Sequence, residues 1–303
     1  MEKKYLDFIA KTKPILVERD VLLSGYTTFK IGGPADLLAK PKNIEELKVL
    51  LSTAKDLEIP YFIMGCGSNL LIKDSGLRGL VILLADNFSE IIQEGSNTLN
   101  ALAGARLIAL ARFALALGLG GFEFASGIPG SLGGAIVMNA GAYGGEMVQV
   151  VKSVWLLKED GSVVEHSNEE MEFGYRKSRL NKEKSIVLAA TIELASKNRD
   201  EIKALMDDLS QRRRDKQPVT EPSAGSFFKR PPGHYAAALI DQAGLKGYKI
   251  GGAYVSPLHA GFVLSDGTAT AADVIALKEH IQKTVYDKFQ VELEPEVKII
   301  GDE

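Results

Sequence analysis

Cysteine occurs once among the 303 residues of this chain, at Cys66, and histidine four times. One thiol excludes an internal disulfide, and these counts leave too little material for a cysteine-based zinc site, so no metal is expected. No run of about twenty apolar residues is present either, which argues against a membrane-spanning helix. The nearest candidate, Ala101 to Leu119, is broken by Arg106 and Arg112. The start, Met1-Glu2-Lys3-Lys4-Tyr5, leads into a mixed segment without an apolar stretch of signal-peptide length. Charge of one sign is scarce as well: 36 basic against 39 acidic residues leave a net charge of −3. That balance gives no reason to expect nucleic acid or an anionic membrane as partner. Tandem repeats and low-complexity tracts are missing. A soluble protein of the reducing cytoplasm is the expectation.

What is present reads as mixed helix and strand. Asn43 is placed to cap a first helix, with Glu46 three residues on as in a capping box. A second runs from about Ala105 to Leu117 and ends at Gly118. A third follows Asn198, with Glu201 in the box position and Ile202, Leu205, Met206 and Leu209 on one face. A fourth follows Thr270, with Asp273 in the box position and Val274, Leu277, Ile281 and Val285 at helical spacing. Strand-like runs lie between them at Tyr61–Met64, Leu80–Leu84, Val150–Leu157, Ile186–Ile192 and Val291–Ile300. The prolines of Gln217–Pro222 disfavour helix before them, so the third helix should stop near Lys216, close to a domain change. An α+β fold is predicted.

Glycine is concentrated in two loops. One is Gly65-Cys66-Gly67-Ser68-Asn69, after the strand-like Tyr61–Met64. The other runs from Gly127-Ile128-Pro129-Gly130 through Gly133-Gly134 to Asn139-Ala140-Gly141-Ala142-Tyr143. Glycine lets backbone N–H groups approach an anion with no Cβ in the way, so such loops suit a pyrophosphate. They match neither a P-loop, for want of its lysine, nor the three-glycine dinucleotide turn. By themselves they fit tight turns as well as a ligand.

Longer strings carry a resemblance. Thr28–Asp36 (TFKIGGPAD), the Gly-x-Gly-Ser-Asn loop and Gly127–Tyr143 resemble the UDP-N-acetylenolpyruvoylglucosamine reductase family. So do Tyr175-Arg176-Lys177-Ser178, Ala224–Lys229 (AGSFFK), His259–Phe262 (HAGF) and Leu293–Val297 (LEPEV), in the family's order. The resemblance implies noncovalent FAD in a domain of the vanillyl-alcohol-oxidase (PCMH) type, built from two subdomains, 1–85 and 86–197. It also implies a C-terminal α+β substrate-binding domain, 198–303, whose last strand, about 291–300, returns towards the active site. The short stretch from Arg176 to Gly225 resembles the family's compact subtype, which lacks an extra tyrosine-bearing loop. Two positions depart: Ser265 stands where asparagine is usual, and Arg230 follows Lys229 where some relatives have asparagine. They bear on substrate contacts, not on the reaction.

The implied reaction is NADPH-dependent reduction of UDP-N-acetylglucosamine enolpyruvate to UDP-N-acetylmuramate, a step of peptidoglycan precursor synthesis. Negative charge builds beside the substrate carboxylate, so the site needs a proton donor and electrostatic stabilisation. The resemblance makes Ser226 the donor. A hydroxyl is a weak acid, but a carbanion-like carbon is a strong base. Arg176 should face the substrate carboxylate with a bidentate fork. Glu296 fits if burial and nearby negative charge keep it protonated, so that it donates. Flavin contacts are expected at Ile31, Gly32, Gly65, Gly67, Ser68 and Asn69. More are expected at Gly127, Pro129, Gly130, Gly134, Asn139, Gly141 and Ala142. Substrate contacts are expected at Tyr143, Tyr175, Arg212, Lys216, Lys229, Ser256 and His259. Arg212 and Lys216 share a helix face four residues apart, though as basic residues at a helix end they also have a structural reason to be there. Cys66 reads as a buried small apolar residue. Two other readings compete: a flavin oxidase or dehydrogenase of the same fold acting on another sugar or alcohol, and a catalytically idle flavin or UDP-sugar sensor.

Overall fold

The computed structural model of the chain describes residues 3–85 and 87–302. In chain order its first elements are α1 (Lys3–Lys11), β1 (Val17–Leu22), β2 (Pro34–Ala39), α2 (Ile44–Asp56), β3 (Tyr61–Met64), β4 (Leu70–Ile72) and β5 (Leu77–Leu83). Next come β6 (Ile91–Gln93), β7 (Thr98–Leu102), α3 (Leu107–Leu117), β8 (Leu119–Gly120), α4 (Leu132–Val137), β9 (Gly141–Ala142), β10 (Gly145–Glu146), β11 (Val151–Lys158) and β12 (Val163–Ser167). The remainder is β13 (Ser185–Glu193), β14 (Ala195–Ser196), α5 (Arg199–Lys216), β15 (Ser223–Ser226), α6 (Ala236–Gln242), β16 (Lys249–Ile250), β17 (Ala253–Val255), β18 (Phe262–Ser265), α7 (Ala271–Phe289) and β19 (Lys298–Ile300).

The helix ends show how local chemistry sets boundaries. Asn43 caps α2, its Oδ1 accepting the Glu46 N–H at 2.9 Å. The Glu46 carboxylate reaches one residue further back than a capping box requires, to the Lys42 N–H at 2.7 Å. α3 starts two residues later than expected, because Arg106 is still extended and bridges Ser131. It ends at Gly118 in the left-handed conformation, φ 70°. α5 stops at Lys216 before the prolines. Its cap differs from expectation: the Asn198 side chain takes the Asp200 N–H at 2.7 Å. Its buried face is also narrower, with Ile202 and Leu209 buried but Leu205 37% exposed. α7 has the full reciprocal box between Thr270 and Asp273, and Val274, Leu277, Ile281 and Val285 are all completely buried.

The chain forms two compact units that interleave in sequence. Unit 1 comprises Met1–Val17, Leu38–Cys66 and Val81–Arg212; unit 2 comprises Glu18–Leu37, Gly67–Leu80 and Arg213–Glu303. The chain passes between them five times: inside β1, inside β2, between Cys66 and Gly67, inside β5 and inside α5. Residues 18–37 and 67–80 therefore group with the C-terminal third.

Unit 1 is built on an antiparallel sheet in the order β12-β11-β13-β7-β6. β13 is central and its Val187–Ala190 run is buried on both faces, which suits so continuous an apolar stretch. β12 lies at the edge and is mostly exposed. α4 lies against β13 and β7, and an added Cβ at Gly133 would stand 2.9 Å from the Ala103 Cβ. Glycine at 133 is what allows that approach.

Unit 2 holds an antiparallel sheet in the order β15-β18-β17-β16, against which α7 packs its buried stripe. Here one strand expectation is corrected. Of Val291–Ile300 only β19, Lys298–Ile300, is strand, running parallel to β4. Pro295 has no N–H for a ladder and makes a single isolated bridge with Phe228.

Candidate active site

In unit 1 the first residue of the shorter glycine-rich loop, Gly65, lies against Ser131 of the longer one. The Leu107 N–H donates to the Gly130 carbonyl and the Leu132 N–H to the Ala105 carbonyl, so the longer loop is pinned to the chain entering α3. A Cβ added to Gly65 would stand 2.2 Å from Ser131 Oγ, so a larger residue there would make the Ser131 hydroxyl turn away. Gly134 is exposed, with Ser131 Oγ the nearest atom to its added Cβ, at 3.6 Å. Pro129 is exposed too, while Gly127, Gly130, Gly141 and Ala142 are half-buried. Cys66 is half-buried, not buried as its loop led us to expect.

Asn139 departs from its expected place. It is 1% exposed, and its amide is occupied by Glu146, Gly174 and Val148. Its side chain is therefore engaged within the protein. Arg176 lies at the tip of a turn in which Gly174 and Lys177 exchange both backbone hydrogen bonds. It is half-buried, has φ 53°, stands 5.2 Å from the centroid of the exposed Tyr175 ring, and donates to the Gly141 carbonyl at 3.4 Å. Tyr143 is exposed at the tip of the β9–β10 hairpin. Arg212 is exposed and grips Asp208, one turn earlier, through Nε at 3.1 Å and Nη2 at 2.8 Å.

Unit 2 brings Ser226 and Glu296 onto neighbouring backbone. Ser226 is exposed at the end of β15, paired with Phe262 of β18. The Glu296 N–H donates to the carbonyl of Phe227, the next residue, at 2.8 Å. Glu296 is half-buried. Its carbonyl accepts from the Asn69 amide at 3.1 Å, and the Asn69 carbonyl takes the Lys298 N–H. The Gly67 carbonyl takes the Thr28 N–H, and Thr28 Oγ1 donates to the Ser223 carbonyl at 2.7 Å. The Thr28, Gly67–Asn69, Ser226 and Glu296 segments are thus tied into one backbone network. Ile31 is buried in the unit 2 core, and Gly32 receives the Ser24 N–H on its carbonyl.

The other expected substrate residues divide. Ser256 is fully buried, and its Oγ accepts the His259 N–H at 3.2 Å, so it shapes a turn and does not face a ligand. Burial holds the His259 imidazole below its ordinary pKa. In its neutral form Nδ1 accepts the Gly261 N–H at 3.2 Å, leaving the proton on Nε2. Lys229 pairs with Glu294 through both side chain and backbone, and Lys216 is exposed. Of the two departures, Ser265 is buried and accepts the Gly267 N–H, and Arg230 stacks 4.0 Å from the Tyr235 ring centroid. No group of three or more His, Cys, Asp or Glu able to hold a metal occurs among the described residues. No described helix is long and apolar enough to cross a membrane.

Residues 35–167 match the family model described as "FAD binding domain". Residues 217–300 match the one described as "UDP-N-acetylenolpyruvoylglucosamine reductase, C-terminal domain". The fold is α+β, an FAD-binding domain of the vanillyl-alcohol-oxidase type joined to a second α+β domain, and the chain is an FAD-dependent oxidoreductase. It is 52% identical over 298 residues to the UDP-N-acetylenolpyruvoylglucosamine reductase of Caldanaerobacter subterraneus subsp. tengcongensis, covering 97% of this chain and 98% of that one. With that of Clostridioides difficile the identity is 51% over 287 residues, covering 95% and 94%. The crystal structure of the Thermus caldophilus reductase superposes with a TM-score of 0.81 at 38% identity, covering 94% of this chain and 99% of that one. The chain belongs to the UDP-N-acetylenolpyruvoylglucosamine reductase family.

Proposed function

We propose that this chain reduces UDP-N-acetylglucosamine enolpyruvate to UDP-N-acetylmuramate in the cytoplasm, with NADPH as reductant and noncovalent FAD, and so serves cell-wall synthesis, cell shape and division. In this reading residues 1–85 and 86–197 hold the flavin and 198–303 hold the substrate. The observation that carries it at the site is the backbone bond from Glu296 to Phe227. It ties the backbone of Glu296 to the residue next to the exposed Ser226. Near full-length similarity to named reductases supports the substrate.

When bound, FAD would supply hydride chemistry between NADPH and the substrate's vinyl group, held by the glycine-rich loops at Gly65–Asn69 and Gly127–Ala142. The chain's own residues manage the negative charge that develops on the carbon next to the substrate carboxylate. Ser226 Oγ donates a proton to that carbon, and its exposure lets solvent restore the proton. Arg176 pairs with the substrate carboxylate, into which the charge delocalises. Glu296 faces the enolate-like oxygens, to which its carboxyl donates a hydrogen bond in the protonated form. Tyr143, Tyr175, Arg212, Lys216, Lys229 and His259 remain the candidates for contacts with the rest of the nucleotide sugar.

The test is to mix holoenzyme, NADPH and the UDP-enolpyruvyl sugar and follow both NADPH loss and product. One UDP-N-acetylmuramate per NADPH is expected. Oxygen consumption with simple alcohols and no response to the UDP-enolpyruvyl sugar would instead mark an oxidase. Ligand binding without turnover would mark a sensor.

A further inference from the structure

Asn139 is a buried polar residue in the middle of a glycine-rich stretch, and its side chain is spent on two turns. Its Nδ2 donates to Glu146 Oε2 at 2.9 Å and to the Gly174 carbonyl at 3.1 Å. Its Oδ1 accepts the Val148 N–H at 2.9 Å. Both amide protons are used, which is the full donor capacity of the group. The backbone at Asn139 is left-handed, φ 44°, a conformation that asparagine adopts more readily than most residues.

The turns it joins both carry expected substrate residues. One is the β9–β10 hairpin, where Gly145 pairs with Ala142 and Tyr143 and Gly144 form the tip with φ 53° and 86°. Two successive positive φ values suit the right-handed twist of a two-residue hairpin. The other is the Gly174–Lys177 turn, with Tyr175 and Arg176 at its tip. Arg176 itself donates across to Gly141 of the first turn, at 3.4 Å. The second turn is also anchored from behind, where Ser178 Oγ donates to the Val137 carbonyl at 2.8 Å. One amide therefore fixes the spacing between the hairpin and the arginine turn.

We propose that Asn139 is a positioning residue that sets the orientation of the Arg176 guanidinium towards the substrate carboxylate. This rests on the reading of Arg176 given above. Asn139→Asp keeps the shape, the tolerance of positive φ and the acceptor for Val148. It removes both donors and sets a carboxylate against Glu146 and the Gly174 carbonyl. The arginine turn then loses the Asn139 tether and keeps the Ser178–Val137 anchor. A misplacement of about 1 Å at a binding group costs on the order of 10²-fold in rate.

The experiment is a double-mutant cycle on flavin-loaded proteins: wild type, Asn139→Asp, Arg176→Ala and the double variant. After reduction by NADPH, the rate of flavin reoxidation by the UDP-enolpyruvyl sugar is read under anaerobic conditions. Asn139→Asp should slow reoxidation about 10- to 100-fold. The double variant should be no slower than Arg176→Ala alone, because Asn139 acts through Arg176. A wild-type rate in Asn139→Asp, or two defects that multiply, overturns the positioning role. A wild-type rate in Arg176→Ala overturns the functional reading itself, which keeps the two failures apart. Should Asn139→Asp fail to retain FAD, Asn139→Ala, which removes the donors without adding charge, is read in the same cycle and by the same criteria.

Discussion

Glu183 carries the clearest electrostatic signature of any single residue in unit 1. Its carboxylate is bonded by Lys158 and by Ser185 Oγ at 2.6 Å, with Arg179 Nε at 3.0 Å. These bonds, Lys158 first and Ser185 second, hold its pKa down from 4.5 to about 2. A lowered folded-state pKa stabilises the protein above the unfolded value, and the gain is lost as pH falls from 4.5 towards 2. Glu183→Gln should thus lower stability by about 1 kcal/mol at neutral pH, solvent screening keeping the figure small. Denaturant unfolding at a series of pH values should show the gap closing on acidification. A gap independent of pH would contradict the assignment. Asn139 and Ser256 show where reading single residues falls short. Asn139 lies in a string whose family likeness is legible and Ser256 just before one, but their partners are not set by those strings. Gly174 is 35 positions from Asn139, and nothing local to Asn139 announces it.

Among elements, α7 was legible because everything that defines it is local: the Thr270–Asp273 box and a stripe at helical spacing. Leu277→Ala, in a fully buried position, should cost about 2–5 kcal/mol in an unfolding titration. A cost under 1 kcal/mol would mean that the stripe is not packed as described. The same helix has a second cap that no local pattern reveals. Asp74 accepts the Ala271 and Ala272 N–H groups at 2.9 and 3.1 Å from 197 and 198 residues away. Asp74→Ala should cost about 1 kcal/mol and Asp74→Asn less, since an amide oxygen can still accept one of the bonds. Equal losses would point to charge and not hydrogen bonding. The strand expected over Val291–Ile300 failed for the converse reason. β-branched and apolar residues set the pattern, but Pro295 cannot join a ladder, and Glu296 spends its N–H on Phe227.

For the whole molecule, the order of family strings along the chain was enough to read an α+β flavoprotein, whereas the interleaving of the two units was not. That interleaving depends on where β1, β2, the Cys66–Gly67 step, β5 and α5 cross from one unit to the other, which strand and helix patterns do not encode. Purified protein should be yellow, and denaturation should release FAD unmodified. Flavin left attached to the chain would contradict noncovalent binding. Free FAD at 100 times its Kd should stabilise the fold by about 2.7 kcal/mol.

The central claim is that Ser226 protonates the substrate carbon. It is tested most directly by rapid mixing of Ser226→Ala, loaded with FAD, in two separate half-reactions. Flavin reduction by NADPH should stay near the wild-type rate, while reoxidation by the UDP-enolpyruvyl sugar should slow on the order of 10²–10⁴-fold. Equal slowing of both half-reactions, or of neither, would contradict the proton-donor role.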